Sequence, residues 1–212
     1  MFQTKDILGQ LIVLILSYLI GSITTGDIVA YFKKVDVRGL GSGSIGATNV
    51  FRAMGWPFAA IVLAGDALKG IIAVIIGGKL IGNIGSFDFA ILSGIAAIVG
   101  HNWPIYTRFR GGKGIATSLG VIIGLTSKSL LIILPVWIIF FVITGFVSLA
   151  SILAAISYPI SVFISYNGDY YKLFFAVVIA ILAVYRHKSN LQRLFQGKEH
   201  RILYNKRKGA DK

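Results

Sequence analysis

Cysteine is absent from all 212 residues, which excludes disulfides, thiolate nucleophiles and cysteine-ligated metals without locating the compartment. Charge is scarce, at 14% Asp, Glu, Lys and Arg, and acid is scarcer still, with 8 Asp and Glu against 21 Lys and Arg. The 3 histidines stand in no His/Asp/Glu spacing that supports a metal site, no Ser-His-Asp triad is evident, and no cofactor is implied. The first apolar stretch, Ile7 to Phe32, lacks an A-x-A cleavage site after a short apolar core, so it is expected to stay as a helix rather than leave as a signal peptide. No internal repeat stands out beyond generic apolar runs.

What remains is oil. The hydrophobic fraction is 56% and the mean hydropathy is +0.80, a composition that leaves a soluble domain of this size too little polar surface. The expectation is an all-α fold, a polytopic membrane helical bundle forming a single domain over residues 1–212. Seven apolar runs, near 7–32, 55–81, 87–103, 114–127, 130–146, 149–166 and 171–185, predict about seven transmembrane helices, some short or re-entrant. In a seven-span reading, sixteen of the 21 Lys and Arg fall on one side, in loops 33–53 and 104–113 and the basic tail 186–212. Lys5, Lys79, Lys128 and Lys172 fall on the other, and Lys69 lies within a span. The positive-inside rule then puts both loops and the C-terminus in the cytoplasm and the N-terminus outside. A net charge of +13 reads here as orientation and contact with anionic membrane lipid, not as nucleic-acid binding. Tyr31, Trp56, Trp103, Tyr106 and Tyr185 fit interfacial anchors.

Two glycine-rich basic stretches carry the chemistry. The first, Gly39 to Arg52, contains Gly41-Ser42-Gly43-Ser44-Ile45-Gly46, which matches G-x-G-x-x-G but lacks the strand and βαβ unit of a dinucleotide site. It reads as an anion nest in which Ser42, Ser44, Thr48 and Asn49 add donors and Arg52 adds a guanidinium fork, or else as a small-residue helix interface. The second, Arg108-Phe109-Arg110-Gly111-Gly112-Lys113-Gly114, fails the Walker spacing and has Gly114 where a magnesium-ligating Ser or Thr would stand. Its glycines still allow close backbone approach, and Lys113 at the opening of the next helix favours an anion. Both point to a phosphate compound as substrate.

A third segment, Tyr185 to Phe195, places His187 and Asn190 three apart, on one helix face. His187 suits a general base, a phosphate donor or an interfacial polar residue, and His101 shares that ambiguity. Asp27, Asp66 and Lys69 lie inside apolar spans, where Asp66 and Lys69 can pair at i, i+3. The runner-up to an enzyme is a phosphate or organophosphate transporter, disfavoured because the basic groups gather on one face and no paired broken helices appear. A lipid-binding scaffold would explain the tail but not the glycine loops.

The three motifs in order resemble one family: Gly41 to Arg52, then Gly100-His101-Asn102-Trp103-Pro104 with Phe109 to Gly114, then Arg186-His187-Lys188-Ser189-Asn190. They are similar to the bacterial integral-membrane acyl-phosphate:glycerol-3-phosphate acyltransferases of the PlsY type, over about Leu19 to Glu199. The resemblance implies transfer of a fatty acyl group from acyl phosphate to the 1-hydroxyl of sn-glycerol 3-phosphate. The products would be lysophosphatidic acid and phosphate, in the first acylation of phospholipid synthesis at the bacterial inner membrane. It implies that Ser42, Arg52, Lys113, His187 and Asn190 line the phosphate-binding site, with Lys113, His187 and Asn190 as the catalytic candidates. The partners it implies are glycerol 3-phosphate, acyl phosphate and membrane lipid; it names no protein partner. Ser44, Trp103 and Lys188 depart from the residues common in that family and touch none of the five.

Overall fold

The computed structural model describes residues 7–85 and 87–202. Lys5 and the last ten residues of the basic tail therefore lie outside the described residues.

The chain is helical, in agreement with the expected class. A helix pair opens it, α1 (Ile7–Ser22) and α2 (Thr25–Lys33), followed by the short α3 (Ala47–Met54) and the long α4 (Trp56–Leu80). The first apolar run is thus one span broken near its end. At the break Thr24 is extended, and its hydroxyl donates to Asp27 Oδ2 at 2.6 Å. Backbone groups freed at such depth must find partners in the protein. Lys69 of α4 donates to Ile23 O at 2.8 Å, while Asp66 Oδ1 accepts from Thr25 N at 3.3 Å and Thr25 Oγ1 at 3.1 Å. The two intramembrane charges pair at 2.9 Å, as their spacing allows, and they also rejoin the broken helix.

Beyond α4, a two-residue hairpin of β1 (Asn83–Ile84) and β2 (Phe87–Asp88) reverses the chain, pairing Asn83 with Asp88 and Ile84 with Phe87. Then come α5 (Ala90–Asn102), α6 (Ile115–Leu125), α7 (Leu130–Thr144), α8 (Val147–Ser165), α9 (Tyr170–Arg186) and α10 (Lys188–Phe195). Among the described residues, four stretches are long and apolar enough to cross a membrane: 7–33, 56–80, 127–144 and 147–165. The pair α9 and α10, bent by 56° at His187, is a fifth. The two inner helices are shorter, 13 residues for α5 and 11 for α6. At about 1.5 Å per residue neither spans a hydrocarbon core of about 30 Å alone. α5 lies against α1 and α4, and α6 lies against α4, so their polar ends are enclosed by protein. Close approach is built in: a Cβ on Gly120 of α6 would collide with the Ala67 carbonyl, and one on Gly70 of α4 with the Thr117 carbonyl.

Buried side chains from α4 through α9, including Val121, Tyr158, Val162 and Phe175, form the main core, and Tyr158 meets Thr126 Oγ1 at 2.8 Å. The outer surface carries Ile15, Leu63, Ile139, Phe163 and Ile181 exposed, as lipid-facing helices require. Helix ends gather on two faces. On one, Phe87 packs edge-on to Tyr171 at 5.2 Å and Lys128 N donates to the Tyr166 hydroxyl at 3.1 Å. On the other stand both glycine loops and the segment after α9.

Candidate active site

The first loop is held from within. Asp36 Oδ1 accepts from Arg38 N and Gly39 N, each at 3.1 Å, and closes a short turn. Arg38 forks onto Asp27, Nε to Oδ1 at 3.1 Å and Nη2 to Oδ2 at 2.8 Å, so it is tied to α2. Asn49, buried on α3, accepts from Ser42 N at 2.9 Å and donates through Nδ2 to Val37 O at 2.9 Å and Leu40 O at 3.0 Å. Its amide is spent on the loop, so the expectation that it adds a donor to a ligand is corrected: Asn49 shapes the nest. The tight course needs Gly41, at φ 56°, because a Cβ there would strike Asn49 Oδ1. The stem of Arg52 runs alongside, with Cδ 3.8 Å from that same Cβ position, which places Arg52 against the backbone at Gly41, next to Ser42 in the chain.

The second loop runs from Pro104 to the N-cap of α6 at Gly114, and Lys113 stands just ahead of that cap. Gly112 N donates to His101 O at 3.1 Å, and a Cβ on Gly112 would meet the His101 ring. From the other side Arg186 donates through Nε to Gly112 O at 3.1 Å, and its guanidinium lies 5.1 Å over the Trp103 ring. Trp103 is therefore half-buried under Arg186. Arg108 and Arg110 point to solvent, as cations at a helix end do.

Lys113 is held by this frame with no hydrogen-bond partner among the described residues. Burial pushes its ammonium down to about 8, against the pull of Glu199 and with the push of Arg193, Arg52 and Arg186. Burial also lowers Arg52, again opposed by Glu199, although it stays cationic at any working pH. Both side chains thus lie in one electrostatic field with the segment after α9.

That segment turns at His187, which is 3% exposed. Its Nδ1 lies 2.8 Å from Ala183 O, an oxygen that can only accept, so Nδ1 carries a hydrogen. In the neutral ring Nε2 is then an acceptor. One turn on, Asn190 donates through Nδ2 to Glu199 Oε1 at 2.7 Å. Glu199 also accepts from Ser148 Oγ at 2.8 Å and from Arg193 Nε at 2.7 Å, and these bonds hold its carboxyl below the ordinary value despite burial, the largest opposing effect. The chain past α10 is pinned over the face by Arg52 Nη2 to His200 O at 3.3 Å and by Ile202 N to Gly145 O at 2.9 Å.

Of the five site residues expected from sequence, Arg52 packs against Gly41, the residue before Ser42, and Arg52 and Lys113 share the field of Glu199, which binds Asn190 directly. His187 feels the Lys113 charge one turn from Asn190. Sequence reasoning missed Glu199, which folds back from just past α10, and Ser148, which reaches the site from α8. It also missed His101 as the floor of the second loop, where His101 Nδ1 sits 2.9 Å from Lys69 Nζ.

The model of the glycerol-3-phosphate acyltransferase family matches residues 11–197. The chain belongs to the glycerol-3-phosphate acyltransferase family. A glycerol-3-phosphate acyltransferase of Desulforudis audaxviator is 44% identical over 200 residues, covering 94% of this chain and 98% of that protein. One of Aquifex aeolicus is 42% identical over 192 residues, covering 91% and 98%. Among solved structures, the integral membrane acyltransferase PlsY in its glycerol 3-phosphate form superposes with a TM-score of 0.85 at 41% identity, covering 91% of this chain and 94% of that one. Its lysophosphatidic acid form superposes at 0.83, with the same identity and coverage. The family is an enzyme family of the membrane, and this acyltransferase is an integral membrane protein whose glycine loops and post-α9 segment meet on one face.

Proposed function

We propose that the chain transfers a fatty acyl group from acyl phosphate to the 1-hydroxyl of sn-glycerol 3-phosphate, giving lysophosphatidic acid and phosphate. The observation that carries this reading is Lys113: a half-buried lysine with no ion partner among the described residues, at the end of a glycine loop, in the field of Arg52. A cationic pocket of that kind suits a phosphate dianion. Kinship with a PlsY structure in glycerol 3-phosphate and lysophosphatidic acid forms supports the same substrate and product here.

In this reading Arg52, Lys113 and Ser42 hold phosphate, and Asn190 and His187 orient the glycerol end. Acyl phosphate is a mixed anhydride and already activated, so the protein chiefly juxtaposes two anions and stabilises charge on the carbonyl and the departing phosphate. The glycerol oxygen attacks the carbonyl carbon, the bond from that carbon to the phosphate oxygen breaks, and the hydroxyl proton goes to a substrate phosphate. No acyl-enzyme intermediate is needed. The acyl chain lies along the apolar groove between α8 and α9, lined by Ile156, Pro159, Val177, Ile181 and Val184 and ending at Tyr185, two residues from His187. The positive-inside rule supports a bacterial inner-membrane protein with the site face in the cytoplasm, where glycerol 3-phosphate is met.

The test is incubation of the purified protein in lipid vesicles with labelled glycerol 3-phosphate and palmitoyl phosphate. Labelled lysophosphatidic acid is expected. Accumulation of unmodified label inside the vesicles, with no lipid product, would overturn the reading in favour of transport.

A further inference from the structure

Asp66, Lys69 and His101 take no part in the transfer described above, yet all three are buried and lie together in the protein interior. The Lys69 ammonium has three hydrogens, and three acceptors surround it: Ile23 O at 2.8 Å, Asp66 Oδ1 at 2.9 Å and His101 Nδ1 at 2.9 Å. His101 Nδ1 therefore accepts, its ring is neutral, and the ring hydrogen sits on Nε2, the atom nearest to where a Gly112 side chain would stand. One carboxylate, one ammonium and one neutral ring leave the cluster without net charge, as a membrane interior demands. A buried ion pair gains little net stability over apolar residues of similar size, so stability is a poor account of its presence.

Each arm of the cluster ends on an element that carries one glycine loop. Asp66 and Lys69 hold the start of α2 through Thr25 N, Thr25 Oγ1 and Ile23 O. In turn α2 carries the first loop: its Asp27 grips Arg38, and its Gly26 lies so close beneath the loop that a Cβ there would strike Ile45 O. On the other side Lys69 holds the His101 ring, and His101 carries the second loop, by its carbonyl to Gly112 N at 3.1 Å and by its ring against Gly112. We infer that the intramembrane cluster Asp66, Lys69 and His101 is a positioning unit that sets the spacing of the two loops, and with it the spacing of Arg52 and Lys113 around one shared anion. None of the three touches substrate; they act through the loops. That the anion is a substrate phosphate rests on the acyl-transfer reading above, whereas the loop spacing does not.

Because the chain has no cysteine, Leu40→Cys and Arg110→Cys, both at exposed side chains, admit one spin label in each loop. Double electron–electron resonance on the full chain in lipid vesicles then reads the distance between them. In that background Asp66→Leu with Lys69→Met removes both charges together, so no buried charge is left alone and Tm is expected to stay within about 5 °C. The inter-loop distance distribution is expected to broaden, and kcat/KM for glycerol 3-phosphate to fall by about 100-fold, as displacement of substrate-holding groups does, with the Ki of inorganic phosphate rising in step. A pair that only stabilised the fold would be dispensable once replaced by apolar residues. A wild-type distance distribution, or wild-type kcat/KM, in the folded double variant would therefore overturn the inference. Should the double variant fail to fold, His101→Asn decides: its amide oxygen still accepts from Lys69, but no ring supports Gly112. The same broadening and loss are expected there, and wild-type values would overturn the inference. Labelled protein without the cluster substitutions that makes no lysophosphatidic acid would overturn the acyl-transfer reading instead, and the distance distribution with inorganic phosphate binding would then judge the loop spacing alone.

Discussion

The ammonium of Lys113 titrates where an assay can follow it. With the free-enzyme group at about 8, roughly nine-tenths of it is charged at pH 7 and roughly one-tenth at pH 9. Phosphate binding needs the charge, so kcat/KM for glycerol 3-phosphate should be flat below that value and fall about tenfold between pH 7 and pH 9, with a limiting slope of one decade per unit. Bound dianion stabilises the ammonium, so kcat at saturating substrate should fall later than kcat/KM. The sign for stability is the reverse. A lysine held below its ordinary value binds fewer protons folded than unfolded, so folding is opposed by its charge and strengthens as pH rises from about 8 towards the ordinary lysine value. Activity lost while thermal stability holds or improves therefore identifies titration of the site and not denaturation. The assay is initial rates of lysophosphatidic acid formation from pH 6.5 to 9.5, with Lys113→Arg in parallel. The arginine stays charged throughout, so any activity it retains should lack the alkaline fall. A flat wild-type profile to pH 9.5, or the same fall in the arginine variant, would refute the reasoning.

Three further outcomes follow from the geometry. Gly112→Ala sets a Cβ against the His101 ring and displaces the loop that carries Lys113, so activity should fall by about 100-fold or more, as misplacement of a substrate-holding group does, with normal membrane insertion checked by cell fractionation. Asp66→Asn leaves the buried Lys69 ammonium without its anion at 2.9 Å and should cost about 3–5 kcal/mol, read as a lowered Tm in detergent. Asn49→Asp cannot donate to the Val37 and Leu40 carbonyls, and the expected loss of about 1–3 kcal/mol should appear as lower stability together with a raised KM for glycerol 3-phosphate.

Much of this was legible in the one-dimensional pattern, and for physical reasons. Long apolar runs are forced by the bilayer, so α4, α7 and α8 stand near their expected bounds. The glycine loops were visible because close backbone approach and positive φ demand glycine at positions such as Gly41 and Gly114. The break between α1 and α2 was not visible, since Ile23 and Thr24 disturb an apolar run very little. What sustains it is a side chain over forty residues away, Lys69 on the Ile23 carbonyl. Glu199 was hidden as well: it lies past the end of α10, so no helical period links it to Asn190, and its partner Ser148 comes from a distant helix. Asn49 was misread for a related reason, because a nest of donors and the residue that builds the nest carry the same polar signature.

The most direct test of the account is the stoichiometry of one reaction in reconstituted vesicles: palmitoyl phosphate and glycerol 3-phosphate supplied together, with released phosphate and lysophosphatidic acid measured in the same samples. The account predicts equal amounts of both products, dependence of phosphate release on glycerol 3-phosphate, and loss of both in folded Lys113→Ala. Phosphate release without lysophosphatidic acid, or full activity in that variant, would contradict it.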